Sequence, residues 1–349
     1  MALINQHFQI LCFAALLFVL VHFAPGVSST RLLGSNDLTM KEKHEQWMTQ
    51  YGRVYKDLAE KEMRFKIFGD NVKRIEASNK QNRKFTLTVN AFADLTNEEF
   101  RASHTGYKRQ RSLDSSRSKP RSTSFRYENL TGIPRSIDWR RKGAVTPIKD
   151  QGLCGSCWAF SAVAAIEGLT KIKTGKLISL SEQELIDCDT NDGGCAGGLM
   201  DTAFAFVKTN GGLAKESTYP YTGTGDTCNR RLEASHAAPI KGYKDVPSNN
   251  EAALKAAVAH QPVSVAVDGG DYNFQFYSSG ILNEECGTEL DHAVTAIGYG
   301  VGKHGTKYWI VKNSWGTSWG EGGYMRLARD VSNKEGTCGI AMEPSYPIA

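Results

Sequence analysis

The sequence is short of features that mark several large classes of protein. After the first 30 residues it has no apolar run near the roughly 20 residues that cross a bilayer. It has no second Cys or His pair at ligand spacing that would complete a zinc site with Cys154 and Cys157. Its 10 Pro and 34 Gly show no collagen period, and a hydrophobic content of 40% is too high for a disordered chain. What remains is a globular composition, and 349 residues predict two or three structural units.

The excess of positive charge is confined to the front of the chain. The formal net charge is +5, but 21 basic and 13 acidic residues precede Ile133, whereas 21 basic and 24 acidic residues follow it. Residues 106–130 are basic, rich in Ser and Arg and poor in apolar side chains, which is typical of an exposed linker. Because the region after this linker is mildly acidic, we expect no nucleic-acid partner.

The N-terminal residues are typical of a signal peptide. Residues 10–21 form an apolar run that is too short to span a bilayer, and small residues follow at 27–29. The segment before the run has no Lys or Arg, which is atypical. We predict a signal peptide over residues 1–28 and a protein of the secretory pathway with no membrane partner.

Export leaves an odd number of cysteines. Of the 8 Cys, Cys12 departs with the signal peptide and seven remain. Cysteines normally pair in an oxidising compartment, so at least one thiol is left over or bridges to another chain. This leftover thiol is the first specific indication of chemistry.

A charged, helical region precedes the linker and carries no evident nucleophile, base or metal cluster. Residues recur there at spacings of three and four, which aligns one stripe along a helix. Thr96 and Glu99 form a capping-box pattern that predicts the start of a further helix. A plain amphipathic surface helix would show the same stripe, and we interpret the region as an interaction element. The stripe consists of Glu60, Arg64, Phe68, Asn71, Ile75 and Asn79.

Cys157 is the candidate nucleophile. It precedes the apolar run Ala162–Ile166, which predicts a buried helix from about Cys157 to Lys173. A thiol in the first helical turn lies at the positive end of the helix dipole, where the thiolate is favoured. The spacing Cys154-x-x-Cys157 is also open to a redox pair, a zinc half-site or a local disulfide.

His292 and Asn313 are the candidates for a base and its orienting partner. His292 opens a strand-like run, and a second such run, 308–312, leads to Asn313. A lone His entering a strand is more often structural, but an Asn oxygen can accept one imidazole N–H and leave the other nitrogen facing a thiol. Trp315 and Trp319 would cover the pair. The other histidines after the linker, His236, His260 and His304, are interpreted as surface or loop residues.

Together these residues resemble the papain family of cysteine proteases. The pattern Cys-Gly-Ser-Cys-Trp at 154–158, with His 135 and Asn 156 residues after Cys157, is similar to the family signature. Residues 133–140 resemble the start of a mature enzyme, and the stripe matches the inhibitory propeptide of the cathepsin L-like branch. In the accompanying Gly-x-Asn-x-Phe-x-Asp motif Thr88 replaces the Gly, which leaves the local propeptide geometry open. The stretch 187–191 is most similar to senescence-associated plant members.

The resemblance implies an α+β fold of two lobes: a helical lobe over about 142–244 and a β-barrel-like lobe mainly from Asp245 onward. The active site would lie in the cleft between the lobes. We therefore expect a signal peptide over 1–28, a helical inhibitory propeptide with its basic linker over 29–132, and a peptidase domain over 133–349. The implied disulfides are Cys154–Cys195, Cys188–Cys228 and Cys286–Cys338, which leave Cys157 free.

The resemblance also implies the roles of the site residues. Cys157 and His292 would form a thiolate–imidazolium pair, and Asn313 would orient the imidazole beneath Trp315. The Cys157 backbone N–H and the Gln151 side-chain amide would stabilise the oxyanion of an endopeptidase that works through an acyl-enzyme thioester. The implied substrate-binding residues are Gly197, Gly198, Leu199, Met200, Ala266, Leu290, Ala293, Trp315 and Glu343.

Glu343 leaves the substrate preference open. By resemblance it falls at the floor of the pocket for the P2 side chain, the second residue before the scissile bond. The apolar lining predicts a bulky apolar P2 residue. A Glu343 carboxylate that points inward would also admit a basic P2 residue, whereas one that faces solvent would not.

The remaining expectations concern partners and location. The resemblance implies protein and peptide substrates, the chain's own propeptide and cystatin-type proteins as inhibitors, a monomer, and no cofactor or metal. It implies a vacuole or lysosome-like compartment, or else the extracellular space, and protein degradation during plant senescence. Asn129 begins a glycosylation sequon. A non-catalytic relative and a thiol–disulfide exchange protein are the competing interpretations, and the presence of all four catalytic residues speaks against the first.

Overall fold

The computed structural model describes residues 38–108, 125–128, 130, 132–283 and 286–349. The predicted signal peptide and the sequon residue Asn129 lie outside these residues. The chain divides into two compact units at Arg53 and Val54. Among the described residues, every helix is too short or too polar to traverse a lipid bilayer.

The first unit contains one described helix, α1 (Met40–Tyr51). Thr39 begins it with a capping box, because its hydroxyl accepts the Glu42 N–H while the Glu42 carboxylate accepts the Thr39 N–H at 2.7 Å. The helix ends at Gly52, whose φ of 61° favours glycine. The buried rings of His44 and Trp47 stack within it.

The second unit opens with α2 (Leu58–Asn79), β1 (Phe85–Leu87) and α3 (Asn97–His104). The stripe predicted on α2 holds this region together. Arg64 binds Glu99 at 2.7 Å, and the Asn71 amide donates to the carbonyls of Ala93 and Leu95. The capping box predicted at Thr96 is present at the start of α3.

The segment around Thr88, where the sequence departs from the propeptide motif, is extended. Strand β1 pairs with β5 (Tyr277–Gly280), and the Thr88 N–H donates to the carbonyl of Phe276 at 2.9 Å. An extended backbone accepts a β-branched residue as readily as a glycine. The pairing also ties the front segment, the part of the chain at 29–132, to the region after Ile133.

The helical part surrounds α4 (Cys157–Thr174), which begins and ends within one residue of the sequence prediction. Most of its side chains are buried, as its apolar run requires. Its neighbours include α6, which packs against it through Phe204 and Val207. The other elements of this part are α5 (Glu182–Cys188), a 3-10 turn (Gly194–Ala196), α6 (Met200–Asn210) and α7 (Arg230–Glu233).

The β-rich part is an antiparallel sheet of seven strands: β2 (Ile137–Asp138), β3 (Gly242–Asp245), β4 (Val263–Val267), β6 (His292–Val301), β7 (Lys307–Lys312), β8 (Tyr324–Ala328) and β9 (Ser345–Ile348). Their order is β3-β9-β4-β6-β7-β8, and β2 pairs with β6. The path is open, so the expected β-barrel-like lobe is a sheet that does not close into a barrel. Between them lie α8 (Glu251–Val258), α9 (Tyr272–Gln275) and a 3-10 turn (Thr337–Gly339).

Helix α4 packs directly on the sheet, and Ser161 connects the two. Its hydroxyl donates to the carbonyl of Val294 on β6 at 2.7 Å, and its own carbonyl accepts from the hydroxyls of Ser264 and Thr295. These bonds satisfy polar groups in an otherwise apolar interface. They bring the first residue of α4 next to the first residue of β6.

Three disulfides staple the region after Ile133. They join Cys154 to Cys195, Cys188 to Cys228 and Cys286 to Cys338, across separations of 41, 40 and 52 residues. In the chain-entropy description each contributes about 4 kcal/mol. Cys157 is the free cysteine of the described chain. Since Cys154 is bonded to Cys195, the structure contains neither the local Cys154–Cys157 disulfide nor a vicinal dithiol.

Candidate active site

Cys157 is the first residue of α4, and the protein encloses its side chain. The residue is fully buried, and its Sγ accepts the backbone N–H of Ala293 at 3.4 Å. Ala293 follows His292 on β6, so this contact places the thiol beside the histidine. The helix N-terminus adds a positive electrostatic potential that favours a thiolate.

His292 is held by Asn313. The imidazole Nε2–H donates to Asn313 Oδ1 at 2.7 Å, and the same oxygen accepts the Ser314 N–H at 2.8 Å. Since Nε2 faces a carbonyl oxygen, it carries the proton in the neutral ring. The other nitrogen, Nδ1, is buried without a hydrogen bond in the described structure. The arrangement therefore leaves Nδ1 available for proton exchange.

Trp315 covers the hydrogen bond between His292 and Asn313. Its ring stacks on the imidazole with centroids 4.4 Å apart and planes at 24°. Phe274 and Trp319 pack edge-on against Trp315. This aromatic cover keeps water from competing for the hydrogen bond.

Burial keeps the thiol and the imidazole uncharged in this structure. It raises the pKa of the Cys157 thiol to about 12, against the opposing effect of the Ala293 N–H. It lowers the pKa of His292 to about 4, although the bond to Asn313 acts in the other direction. A thiolate–imidazolium pair would have to lose both hydration shells here, so the neutral pair is favoured at pH 7.

The side-chain amide of Gln151 is the donor expected for an oxyanion site. In the structure this amide already donates to a backbone carbonyl of the front segment. Its Nε2 donates to the carbonyl of His104 at 3.3 Å and to that of Cys154 at 2.9 Å. Ser314 fixes the amide by donating its hydroxyl to Gln151 Oε1 at 2.7 Å. The His104 carbonyl also accepts the indole N–H of Trp315 at 3.1 Å. The front segment thus places its own carbonyl on these donors.

Residues 104–108 run through the cleft. The N–H groups of Gly106 and Tyr107 donate to the carbonyl of Asp291 at 3.0 and 2.8 Å. On the other wall, Gly198 donates to the Gly106 carbonyl and accepts the Lys108 N–H, which makes a parallel bridge. A Cβ on Gly106 would collide with the carbonyl of Gly155. Only glycine lets the segment pass this point.

The side chain of Tyr107 occupies the pocket predicted for the P2 residue. Its ring is buried, and its hydroxyl donates to a carboxylate oxygen of Glu343. Of the two orientations open to Glu343, the structure has the inward one. The predicted lining residues that pack in this apolar cluster are Leu199, Met200, Ala266, Leu290 and Ala293.

Three residues of the front segment contribute to the site without a catalytic motif in the sequence. His104 shortly precedes the linker, whereas Gly106 and Tyr107 fall within residues 106–130. For these two residues the expected exposed linker is wrong, because both lie in the cleft and Tyr107 is buried. The role of Ser314 was not predicted either, although this residue directly follows Asn313. Asp291, whose carbonyl accepts the N–H groups of the segment, could have been found only because it precedes His292 in the sequence.

A buried charge network supports the strand that delivers Asn313. Lys312 donates from Nζ to the Thr146 hydroxyl at 2.8 Å, and that hydroxyl donates to Glu167. Lys149 binds Glu167 and Glu182 at 3.3 and 2.7 Å. Each buried charge has an opposite partner or a hydrogen bond, which fixes the end of β7.

One cluster of metal-type ligands occurs among the described residues, formed by Cys188, Cys228 and Glu233. Its two sulfurs are joined in a disulfide, so they cannot act as thiolate ligands. The chemistry available in the cleft is that of a thiol, an imidazole and amide donors.

Comparisons with known proteins agree with this chemistry. Residues 133–348 match the model of the papain family cysteine proteases, and residues 44–100 match that of the cathepsin propeptide inhibitor domain. A senescence-specific cysteine protease of Arabidopsis thaliana is 57% identical over 346 residues, which cover 98% of this chain and 99% of the relative. A senescence-specific cysteine protease of Oryza sativa subsp. indica is 59% identical over 319 residues, or 90% and 92% of the two chains.

Solved precursor structures have the same fold. The proform of the ragweed pollen cysteine protease Amb a 11 superposes with a TM-score of 0.83 at 45% identity, covering 88% of this chain and 94% of that chain. The recombinant stem bromelain precursor superposes with a TM-score of 0.81 at 48% identity, covering 88% and 98%. Both similarities extend across the front segment as well as the region after Ile133.

Proposed function

Because the chain belongs to the papain family of cysteine proteases, we propose that it cleaves peptide bonds with Cys157 as nucleophile, His292 as acid and base, and Asn313 as orienting residue. It is a cysteine endopeptidase with an inhibitory propeptide domain. The observation that carries the assignment is the free thiol at a helix N-terminus beside an imidazole tied to Asn313 through Nε2.

The reaction proceeds in two displacements. When the front segment has left, water enters the cleft and the proton of the thiol moves to Nδ1 of His292. The thiolate attacks the peptide carbonyl, and the Cys157 N–H and the Gln151 amide stabilise the oxyanion. His292 returns the proton to the leaving amine, which leaves a thioester. Water then attacks the thioester while His292 takes its proton, and the acid product departs with the thiol restored.

The nucleophile is tested by substitution. We expect Cys157→Ala to abolish hydrolysis of a fluorogenic peptide with Phe at P2, while the circular dichroism spectrum stays that of the wild type. A trace of an external protease must remove the front segment of the variant, because it cannot process itself. Hydrolysis by the processed variant above the level of that trace would refute the assignment of Cys157.

The front segment acts as the inhibitor in this proposal. Its support is the carbonyl of His104 on the Gln151 amide and the side chain of Tyr107 in the pocket. Acid removes one of its ion pairs: although burial raises the pKa of Asp291 to about 6, Arg101 lowers it, so this attraction holds the segment only while Asp291 is charged. As the pH falls through this value, Asp291 is protonated and its ion pair with Arg101 weakens.

Acid release fits an enzyme of the vacuole or a lysosome-like compartment, and the names of the two relatives fit a role in senescence. A fluorescent fusion of the full chain, followed in senescing leaf cells, tests the location. We expect processed enzyme in the vacuole. Processed fusion found only in the extracellular fluid would overturn this assignment.

Glu343 sets a dual P2 preference in this proposal. Its carboxylate accepts the Tyr107 hydroxyl at the base of an apolar pocket, so it can equally accept a guanidinium or ammonium donor. We expect the mature enzyme to cleave peptides with Phe or Arg at P2, and Glu343→Ala to lose the Arg substrate selectively. Equal losses for the two substrates would refute a specific role for the carboxylate.

We further infer that the enzyme is a monomer and that cystatin-type inhibitors enter the same cleft. Sedimentation equilibrium of the processed enzyme tests the first inference. Competition between a cystatin and a small thiol-directed probe for Cys157 tests the second, since a protein that occupies the cleft must block labelling.

A further inference from the structure

We propose that the carboxylates of Asp268 and Asp291 form a binding site for a cationic side chain, preferably that of arginine, on the leaving-group side of the peptide substrate. In the precursor, Arg101 of the front segment fills this site. The inference rests on the proposed function, since it assigns one further subsite to the cleft that contains Cys157 and His292.

The guanidinium of Arg101 shows how the site receives a cation. One terminal nitrogen lies 3.0 Å from Asp291 Oδ2 and the other lies 3.2 Å from Asp268 Oδ1. The third nitrogen, Nε, donates to Asn97 within the front segment at 3.2 Å. A planar fork that reaches two carboxylates at once is the geometry in which guanidinium groups bind most specifically.

The two carboxylates are fixed by the peptidase region itself, so the site persists when Arg101 leaves. Asp291 Oδ1 accepts the N–H groups of Gly269 and Gly270 at 2.9 and 3.1 Å. Asp268 Oδ2 accepts the Glu289 N–H at 3.2 Å, and only 5% of the Asp268 side chain is exposed. In each carboxylate one oxygen is held by the backbone and the other faces the guanidinium.

Gly270 provides the space that the cation fills. A Cβ at this position would lie 2.5 Å from the Cζ and Nε atoms of Arg101 and 2.5 Å from Asp291 Oδ2. A larger residue would therefore close the site. The backbone at Gly270 and the two carboxylates together form a cradle of the size of one guanidinium group.

The site lies beside the catalytic histidine and away from the P2 pocket. A Cβ on Gly269 would collide with the Cβ of His292, so the loop that carries the cradle packs on the histidine. Along the front segment, Arg101 lies in the cradle, Gly106 contacts Gly155, and the side chain of Tyr107 fills the P2 pocket. Against the effect of burial, the Gly106 N–H lowers the pKa of the Cys157 thiol, so Gly106 lies at the nucleophile, with Arg101 before it and Tyr107 after it along the segment. Since the P2 pocket lies on the acyl side, the cradle lies on the side of the leaving amine.

Removal of the front segment leaves the cradle without its counter-ions. Burial raises the pKa of both Asp268 and Asp291, and Arg101 opposes this rise. Asp271 lies close by, and the cations that lower its pKa, Arg101 and Arg74, both belong to the front segment. A substrate side chain with positive charge would restore the lost ion pairs, whereas a neutral or acidic one would leave the carboxylates unpaired.

The experiment compares internally quenched peptides that share Phe at P2 and differ at one leaving-side position. Arginine, its neutral isostere citrulline, or Glu is placed at the first or second residue after the scissile bond. We expect the processed wild-type enzyme at pH 7 to have a kcat/KM about tenfold higher for Arg than for citrulline at one of these positions. In Asp268→Asn this ratio should fall to about one to three, and in Asp245→Asn, which changes an exposed carboxylate on β3, it should keep the wild-type value.

The ratio compares two substrates of one enzyme, so an altered amount of active enzyme does not affect it. Equal rates for Arg and citrulline at both positions in the wild type would overturn the proposal, as would a preference for Arg that survives Asp268→Asn. In either case the peptides are still cleaved and the proposed protease function stands. Failure of the wild type to cleave any of the peptides would instead count against that function.

Discussion

The structure predicts that Cys157 is almost inert toward alkylation until the front segment is removed. The pKa of about 12 in the precursor corresponds to a thiolate fraction of about 10⁻⁵ at pH 7. An ordinary thiol with a pKa near 8.5 has a fraction of about 3% at this pH. Only the thiolate reacts, but a thiolate of higher pKa is the stronger nucleophile, so Cys157 should react about 10²-fold more slowly than glutathione, before its full burial slows it further.

The assay is a time course of iodoacetamide labelling at pH 7, with the site of labelling located by peptide mass spectrometry. Because Cys157 is the free cysteine of the described chain, a label on it is unambiguous. The precursor is compared with the processed enzyme and with glutathione under the same conditions. Once processing opens the cleft to water and His292 can be protonated, we expect labelling of Cys157 to exceed that of glutathione.

A precursor that labels at the rate of glutathione would refute this reasoning, because it would mean that the cleft is open or that the thiol is ionised while the segment is bound. The Cys157→Ala precursor supplies the blank. Retention of the front segment throughout the labelling is verified by the intact mass.

Three further predictions follow from the contacts around the cleft. Asn313→Ala should lower kcat/KM by about 100-fold and shift its pH profile, because His292 loses the partner that orients its ring. Phe100→Ala, which empties a fully buried site of the front segment, should weaken segment binding by about 3 kcal/mol and speed activation at pH 5. Glu99→Gln should make the stability of the precursor less sensitive to acid. Burial raises the pKa of Glu99, but Arg64 and the Thr96 cap outweigh it and lower this pKa from 4.5. The contribution of Glu99 to stability is therefore present above pH 4.5 and is lost as the pH falls through the lowered pKa.

Matched controls separate these effects from general damage. Leu58→Ala, at a residue of α2 that is 84% exposed, should leave the activation rate unchanged, and an equal acceleration by it would contradict the role of Phe100. For Glu99→Gln, urea unfolding of precursors that also carry Cys157→Ala is measured from pH 3 to 6. An unchanged pH slope would contradict the importance of the Arg64 pair. An Asn313→Ala enzyme with the wild-type pH profile would show that the ring is oriented by other contacts.

The parts of the fold that the sequence predicted are those with local signals. The apolar run after Cys157 and the stripe from Glu60 to Asn79 each repeat with the period of a helix, and both helices are present within two residues of the expected ends. The capping box at Thr96 is equally local. His292 and Asn313 could be proposed because each stands at the end of a strand-like run.

The contacts that fill the cleft had no such signal. Tyr107 meets Glu343 across a sequence separation of 236 residues, and Arg101 meets Asp268 across 167. Neither pair has a period or a motif, and each depends on how β1 and α3 of the front segment pack on β5 and on the loop before α9. The inward orientation of Glu343 could therefore be stated only as one of two alternatives.

The passage of Gly106 and Tyr107 through the cleft has a consequence for the kinetics expected if the precursor processes itself. A molecule whose cleft is filled by its own segment cannot admit a second peptide, so the first cuts come from the few molecules in which the segment has opened. We expect each processed molecule to cleave the linker of others, which would make the rate depend on the product of two concentrations. Conversion should begin with a lag that shortens as the protein is concentrated. Dilute precursor should therefore be converted slowly, and precursor concentrated in one compartment should be converted rapidly.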